Sequence, residues 1–146
     1  MPLCPRCRSA ARPGNSVTMI ATRLGTEDAL GCPHCRGIFV TYEHLAAIRA
    51  GRDAEAIAAA ERAAAGATPV AIDTFDNVPL LCAHCTQPMA IERVTVREQA
   101  LRIDRCSTHG VFLDAHELTA IAPDPKGRST AWDVLEAIGF LGMFFS

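Results

Sequence analysis

The amino-acid sequence predicts a small α+β fold in two similar halves, each made of a short antiparallel hairpin, a further strand and a helix. Three observations lead to this prediction. Seven cysteines and one histidine form four C-x-x-C or C-x-x-H pairs, a segment of the first half recurs in the second half, and only 5% of the residues are aromatic. Because a small half with few aromatic side chains buries little apolar surface, each half needs an additional stabilising element.

The four pairs have the spacing of metal ligands. They are Cys4 and Cys7, Cys32 and Cys35, Cys82 and Cys85, and Cys106 and His109. Two side chains separated by two residues can reach one ion from a tight turn, and two such turns complete a tetrahedron with Zn–S distances of about 2.3 Å. The sequence therefore predicts two Zn²⁺ ions per chain, one held by four thiolates and the other by three thiolates and an imidazole.

The intervals between pairs favour metal binding within each half. Cys7 and Cys32 are separated by 24 residues and Cys85 and Cys106 by 20, near the roughly 15 to 20 residues typical of such sites. Pairing across the halves would span 46 residues, from Cys35 to Cys82. Cross-half pairing, disulfides and an iron site are the alternatives. The N-terminal segment carries no apolar signal sequence, so we expect reducing, cytoplasmic surroundings in which disulfides are disfavoured.

An internal repeat organises the chain. Residues 32–48 align with residues 106–121 when Arg36 is treated as an insertion. The shared positions are Gly37 and Gly110, Phe39 and Phe112, Leu45 and Leu118, and Ile48 and Ile121. The shared glycines suit the positive φ, or the close backbone approach to sulfur, expected after the last ligand. The apolar residues that follow are predicted strands, which would bury each phenylalanine beside a metal site.

Strands and helix starts complete each repeat. Residues 17–22, 91–96 and 101–104 have strand-forming composition, with a turn at residues 97–100 and a longer, looser turn between Gly25 and Gly31. Asp114 and Glu117 form a predicted capping box for the helix of the second half, and Thr41 is a weaker N-cap in the first. An alanine-rich, helix-prone stretch continues from residue 42 to residue 65.

These elements divide the chain into four segments. A first zinc ribbon with its helix covers residues 1–50, and an alanine-rich helix with a linker covers residues 51–80. A second zinc ribbon with its helix covers residues 81–122, and an apolar, amphipathic helix covers residues 123–146. Each ribbon is predicted as a short antiparallel hairpin whose ligands lie in tight turns, or knuckles.

The C-terminal segment has an apolar face and three predicted uses. Trp132, Leu135 and Ile138 recur with helical spacing after a capping box of Thr130 and Asp133. The segment can dock on the ribbons or the alanine-rich helix, associate with a protein partner or second copy through residues 129–146, or lie in a membrane interface. A transmembrane span is excluded, because the uncharged run of nine residues is far below the roughly 20 that are needed.

Charge disfavours nucleic acid as the partner. The formal charge is −2, whereas nucleic-acid binders gain much of their affinity by neutralising phosphates. Residues 1–40 are locally basic, with five arginines against two acidic residues. These arginines are Arg6, Arg8, Arg12, Arg23 and Arg36. We interpret them as solvated loop side chains, because no aromatic residues lie among them to stack on bases.

The motif C-P-x-C…C-P-x-C-x-G followed by three apolar residues and a helix resembles the bacterial zinc-finger family of the transcription-factor-IIB type. The resemblance covers two tandem copies, at residues 4–49 and 82–122. CSTHGVFLDAHEL matches closely, including histidine as the fourth ligand, whereas Thr41 and His44 depart from the usual acidic residues and both copies have Phe in place of Trp. The resemblance implies zinc ribbons with the eight ligands named above and implies no transcription role.

The sequence offers no catalytic constellation. Each predicted site is closed by four protein ligands, and the remaining histidines lie in the knuckles or on the helices: His34, His84, His44 and His116. We therefore predict a non-enzymatic protein with no catalytic residues and no organic cofactor, acting as a protein-interaction or scaffold module. The alternatives are a regulator associated with nucleic acid or the transcription machinery, and a zinc-thiolate redox or metal sensor.

Overall fold

Two antiparallel hairpins form between the predicted ligand pairs. The computed structural model describes residues 1–9, 16–24, 27–50, 77–96, 98–115 and 117. In the first hairpin β1 (Ile20–Leu24) pairs with β2 (Glu27–Gly31), and in the second β4 (Ala90–Val96) pairs with β5 (Gln99–Cys106). A shorter strand follows each hairpin, β3 (Ile38–Val40) in the first half and β6 (Gly110–Leu113) in the second. The predicted small α+β class is confirmed.

Both hairpin turns are tighter than predicted. Leu24 lies opposite Glu27, so the segment predicted as a loose turn forms β2 instead. Strand alternation explains the difference, because Ala29 is buried in the core while the neighbouring Asp28 is exposed. In the second hairpin Val96 lies opposite Gln99, which leaves a two-residue turn where four residues were predicted.

The third strands join the two halves into one sheet. Among the described residues the strand order is β1-β2-β3-β6-β5-β4, with β3 and β6 antiparallel at the centre. Phe39 lies opposite Phe112, so equivalent residues of the repeat meet there. The arrangement is symmetric, since each half contributes its third strand to the centre and its hairpin to an edge.

The two faces of the sheet bury different groups of side chains. On one face the strands pack Val40, Leu101, Ile103, Val111 and Leu113 into an apolar cluster. On the other face Phe39 and Phe112 are buried together with the cysteines. Because successive strand residues point to opposite faces, the same short strands supply both clusters.

One helix of the first half covers the apolar face. This helix, α1 (Tyr42–Arg49), adds Leu45 and Ile48 to the apolar cluster. The Thr41 side chain accepts a hydrogen bond of 3.1 Å from the backbone N–H of His44, which confirms the predicted N-cap. The helices predicted for residues 51–65 and 123–146 lie outside the described residues. Among the described residues, none of the helices is long and apolar enough to cross a lipid bilayer.

Candidate metal centres

Four cysteine sulfurs of the first half form one compact group, called site 1. It comprises Cys4, Cys7, Cys32 and Cys35, whose sulfur atoms all lie within 4.8 Å of one another. The Sγ atoms of Cys4 and Cys35 are 3.6 Å apart, and those of Cys7 and Cys32 are 3.7 Å apart. A tetrahedron with Zn–S distances of about 2.3 Å has S···S edges of about 3.8 Å. The four thiols therefore have the separations that a tetrahedral metal ion requires.

Three cysteines and one histidine form the second group, called site 2. It comprises Cys82, Cys85, Cys106 and His109, whose ligand atoms also lie within 4.8 Å of one another. His109 Nδ1 is 3.6 Å from Cys106 Sγ and 3.9 Å from Cys82 Sγ. These distances are close to the S···N edge of about 3.6 Å in a tetrahedral site with sulfur and imidazole ligands. Site 2 can hold a metal ion through Nδ1 of His109.

The two sites differ in burial. All four cysteines of site 1 are buried, whereas Cys85 and His109 of site 2 are half-buried. The His84 ring, on the exposed side of site 2, stacks on the His109 ring with centroids 5.2 Å apart. Solvent and small reagents therefore have better access to site 2.

Backbone turns orient the sulfurs. The N–H of Cys35 donates to Cys32 Sγ and that of His84 donates to Cys82 Sγ, each over 3.4 Å. Three of the four ligand pairs are followed by a residue with positive φ, which is 63° at Arg36, 61° at Thr86 and 139° at Gly110. The sequence predicted positive φ, or a close approach to sulfur, at Gly37 and Gly110, and Arg36 was treated as an insertion. Neither Arg36 nor Thr86 is a glycine, the residue that usually marks positive φ, so the sequence pattern did not predict this conformation for them.

Of the two predicted roles, Gly37 makes the close approach to sulfur and Gly110 has the positive φ. Gly37 donates its N–H to Cys35 Sγ over 3.4 Å, and a Cβ at this position would lie 2.4 Å from Cζ of Phe112. Gly110 has a φ of 139°, and a Cβ there would lie 2.0 Å from the carbonyl oxygen of Val40. At both positions only glycine leaves room for the other half of the sheet.

The thiols of site 1 titrate as a set. Hydrogen bonds from Cys35 and Cys4 lower the pKa of Cys32, and the same bonds raise the pKa values of Cys4 and Cys35. One thiolate is thus stabilised by its neighbours, and further negative charge in the group is opposed. A divalent cation offsets that repulsion, so the donor set suits a thiophilic metal ion.

Two side chains of the first half form hydrogen bonds with the backbone of site 2. Arg8, one residue after Cys7, donates from Nη2 to the carbonyl oxygen of Cys82 over 3.0 Å. The Tyr42 hydroxyl, at the start of α1, donates to the carbonyl oxygen of Cys106. These hydrogen bonds hold two ligand-bearing turns of site 2 against the first half.

The two central phenylalanines pack across the sheet centre. Phe112 of the second half fills the space above Gly37, beside site 1. Phe39 of the first half meets the His84 ring edge-on, with centroids 5.0 Å apart and an interplanar angle of 70°. Sequence analysis placed each phenylalanine beside a metal site, and in the structure each ring contacts a knuckle of the opposite half.

A buried ion pair also links the halves. Arg6 donates from Nε to Oδ1 of Asp114 over 3.0 Å and from Nη2 to Oδ2 over 2.7 Å. Asp104 adds a second carboxylate 3.7 Å from Arg6 Nη2, and Arg102 lies 3.1 Å from the other oxygen of Asp104. The side chains of these four residues are at most 7% exposed. The interpretation of Arg6 as a solvated loop residue is therefore wrong.

The ion pair changes the role of the predicted capping box. The backbone N–H of Asp114 donates to Glu117 Oε2 over 2.8 Å, which is one of the two expected bonds. The carboxylate of Asp114 binds Arg6, and the N–H of Glu117 donates to the backbone carbonyl oxygen of Asp114 over 3.1 Å. Burial and the charge of Asp114 raise the pKa of Glu117 well above its ordinary value. Burial likewise raises the pKa of Asp104 to about 6, although Arg102 and Arg6 act in the opposite direction.

The other singled-out residues lie away from the sulfurs or outside the described residues. His44 is fully buried on α1, with Nε2 3.1 Å from the carbonyl oxygen of Leu24. His34, Arg23 and Arg36 are exposed. Arg12 and His116 lie outside the described residues. His44 therefore contributes to packing, and the arginines of the first half do not form one solvent-exposed set.

Comparison of the chain with protein-family models, with curated proteins and with solved structures gave no significant match. The assignment of both metal centres accordingly rests on the geometry and chemistry of this chain.

Two substitutions separate the ion pair from the capping bond. Asp114→Asn removes the charge that partners buried Arg6, so we expect the free energy of unfolding to fall by about 3 kcal/mol or more.

Glu117→Gln keeps an oxygen that can accept the hydrogen bond from the backbone N–H of Asp114. Because folding raises the pKa of Glu117, wild-type stability falls as this carboxyl ionises with rising pH. Glu117→Gln should therefore gain stability relative to wild type as the pH rises above the ordinary pKa of a glutamate.

Urea unfolding of the metal-loaded proteins at several pH values measures both effects, taken as differences from wild type at each pH. Equal unfolding midpoints for Asp114→Asn and wild type would show that the ion pair does not stabilise the fold.

Proposed function

We propose that this chain is a non-enzymatic zinc protein in which two structural Zn²⁺ ions stabilise the sheet. The observation that carries this proposal is the pair of closed donor sets, each with four sulfur or nitrogen atoms within 4.8 Å of one another. Thiolate and imidazole donors in tetrahedral arrangement favour zinc over harder cations. Four protein ligands leave no open position for water or substrate, which is the property of a structural site.

The position of the donors within the core supports a structural role. The cysteines belong to the same buried cluster as Phe39, Phe112, Met19 and Met89. An unmetallated cluster would place thiols with raised pKa values against one another, so the metal supplies cohesion that apolar packing alone does not. In this proposal zinc binding contributes directly to the folding free energy.

We further propose that each half is a zinc ribbon of the transcription-factor-IIB type. In support, one ligand pair precedes each hairpin, the other begins at or directly after the last residue of the hairpin, and a short third strand comes after the last ligand. The same order holds in both halves. The sequence motifs that carry the resemblance therefore coincide with equivalent positions in the two half-sheets.

Metal analysis tests the zinc assignment. Purified protein should contain two zinc ions per chain. Replacing Cys4 and Cys7 by Ser should leave one ion, and replacing Cys82 and Cys85 by Ser should also leave one, because the sets are independent in their ligands. The matched control is Thr86→Ser beside site 2, which should keep both ions. One zinc ion in the unmodified chain would contradict two paired sites.

The module proposed here acts through protein contacts. Exposed apolar side chains on the described surface include Ile20, Val78 and Leu81. Residues 129–146, which lie outside the described residues, add an apolar sequence with helical spacing. We propose that this segment contacts a protein partner or a second copy of the chain. The nucleic-acid alternative is weakened, because Arg6 and Arg8 are engaged within the protein.

Removal of residues 129–146 tests the association. We expect the full chain to form a larger species in analytical ultracentrifugation, or to bind a partner, and the shortened chain to remain monomeric with both metal ions bound. Glu136→Gln in the full chain is the control, because it alters the polar face and should leave association unchanged. The same mass and solubility for both chains, with no partner lost, would exclude the segment as an association element.

A further inference from the structure

We propose that the two metal sites are thermodynamically coupled through the buried ion pair between Arg6 and Asp114, so that filling either site strengthens binding at the other. This inference rests on the proposed function as a two-zinc protein and extends it. The coupling path starts at site 1, crosses the centre of the sheet and ends at the hairpin that carries site 2.

Site 1 fixes the cation of the pair. Arg6 lies between the ligands Cys4 and Cys7, in a tight turn where the N–H of Arg8 donates to the carbonyl oxygen of Cys4 over 3.1 Å. A metal ion bound by both cysteines holds this turn in place. The guanidinium of Arg6 is then presented to the second half in a defined position.

Site 2 fixes the anions. Asp104 precedes the ligand Cys106 by two residues on β5, and Asp114 follows the last residue of β6. Cys106 lies opposite Gly110 and Asp104 lies opposite Phe112 in the β5 and β6 pairing. A metal ion that holds Cys106 and His109 clamps the turn between these strands. The clamp sets the register that brings both carboxylates to Arg6.

Loss of one metal ion therefore harms the other site. If the turn of site 1 opens, the carboxylate of Asp114 is left buried without its cation, and Asp104 keeps Arg102 alone. If the strands of site 2 separate, Arg6 loses its bidentate partner. Because the ion pair forms fully only when both ends are in place, part of its stability appears in the binding free energy of whichever ion binds second.

Other contacts run parallel to the ion pair. Arg8 donates to the carbonyl oxygen of Cys82, and Phe112 fills the space above Gly37 beside Cys35. These contacts also tie a ligand-bearing turn to the opposite half. The ion pair differs from these contacts because it joins two buried, oppositely charged side chains, so loss of either one leaves the other charge without that partner.

The unmodified chain gives the first test. Metal-free protein is mixed with one equivalent of Zn²⁺ and the populations with zero, one and two ions are measured by native mass spectrometry. Equal, independent sites would give about half of the chains with one ion. We expect clearly less than half, because the second ion binds more tightly than the first. A one-ion population below half arises only if the second ion binds more tightly than the first; for sites of unequal affinity the variant pair described next decides, and failure to bind any zinc overturns the proposed function as well.

A variant pair tests the path. In the full chain, the Zn²⁺ affinity of site 1 is measured by chelator competition with site 2 intact or carrying Cys82→Ser and Cys85→Ser. We expect the loss of site 2 to weaken site 1 by about 5-fold to 150-fold, the usual range of coupling between sites. Arg6→Met should shrink this ratio toward one, whereas Arg23→Met, at an exposed arginine of β1 outside the ligand-bearing turns, should leave it unchanged.

These measurements test the coupling between the two sites separately from the role of the ion pair. Equal site 1 affinities with and without site 2 overturn the coupling. A ratio that Arg6→Met does not change overturns the role of the ion pair. If Arg6→Met binds no metal at all, Asp114→Asn takes its place in the same measurement, and a ratio that Asp114→Asn leaves unchanged overturns the role of the ion pair.

Discussion

Two closed sets of thiolate and imidazole donors are the constraint on which this structure depends. Each set joins a turn that precedes a hairpin to a turn that follows it, so a bound ion would fix both ends of the hairpin. Few large apolar side chains are available to do this by packing. Bound metal ions would replace the additional apolar packing that a larger protein has at these positions, so the strands between the donor sets can be short.

Strand pairing, aromatic packing and a buried ion pair join the two halves beside the donor sets. β3 and β6 pair at the centre, and their phenylalanines contact knuckles of the opposite halves. Arg6 reaches from the first knuckle to Asp114, which begins the last described turn of the second half. The duplicated sequence thus encodes a single sheet with two donor sets that could hold metal ions on one face and an apolar, helix-covered cluster on the other.

Local and distant interactions explain which features were predictable from sequence. The ligand groups followed from spacing, and the Thr41 cap followed from its position before a helical pattern, because both depend on neighbours in the chain. The pairing of β3 with β6 depends on contacts between residues more than 70 positions apart, such as Phe39 and Phe112. The burial of Arg6 likewise needs a carboxylate 108 residues away. No local pattern distinguishes such an arginine from a solvated one.

In the proposed account, metal binding holds the sheet together. Hydrogen exchange of the backbone amides in β3 and β6 measures this stabilisation most directly. These strands contain no metal ligand, yet they lie between the two sites. We predict slow exchange at Phe39 and Phe112 in the metal-loaded protein and a large loss of protection after a chelator removes the metal. Unchanged protection in metal-free protein would contradict the account, because the sheet would then be stable through apolar packing and hydrogen bonds alone.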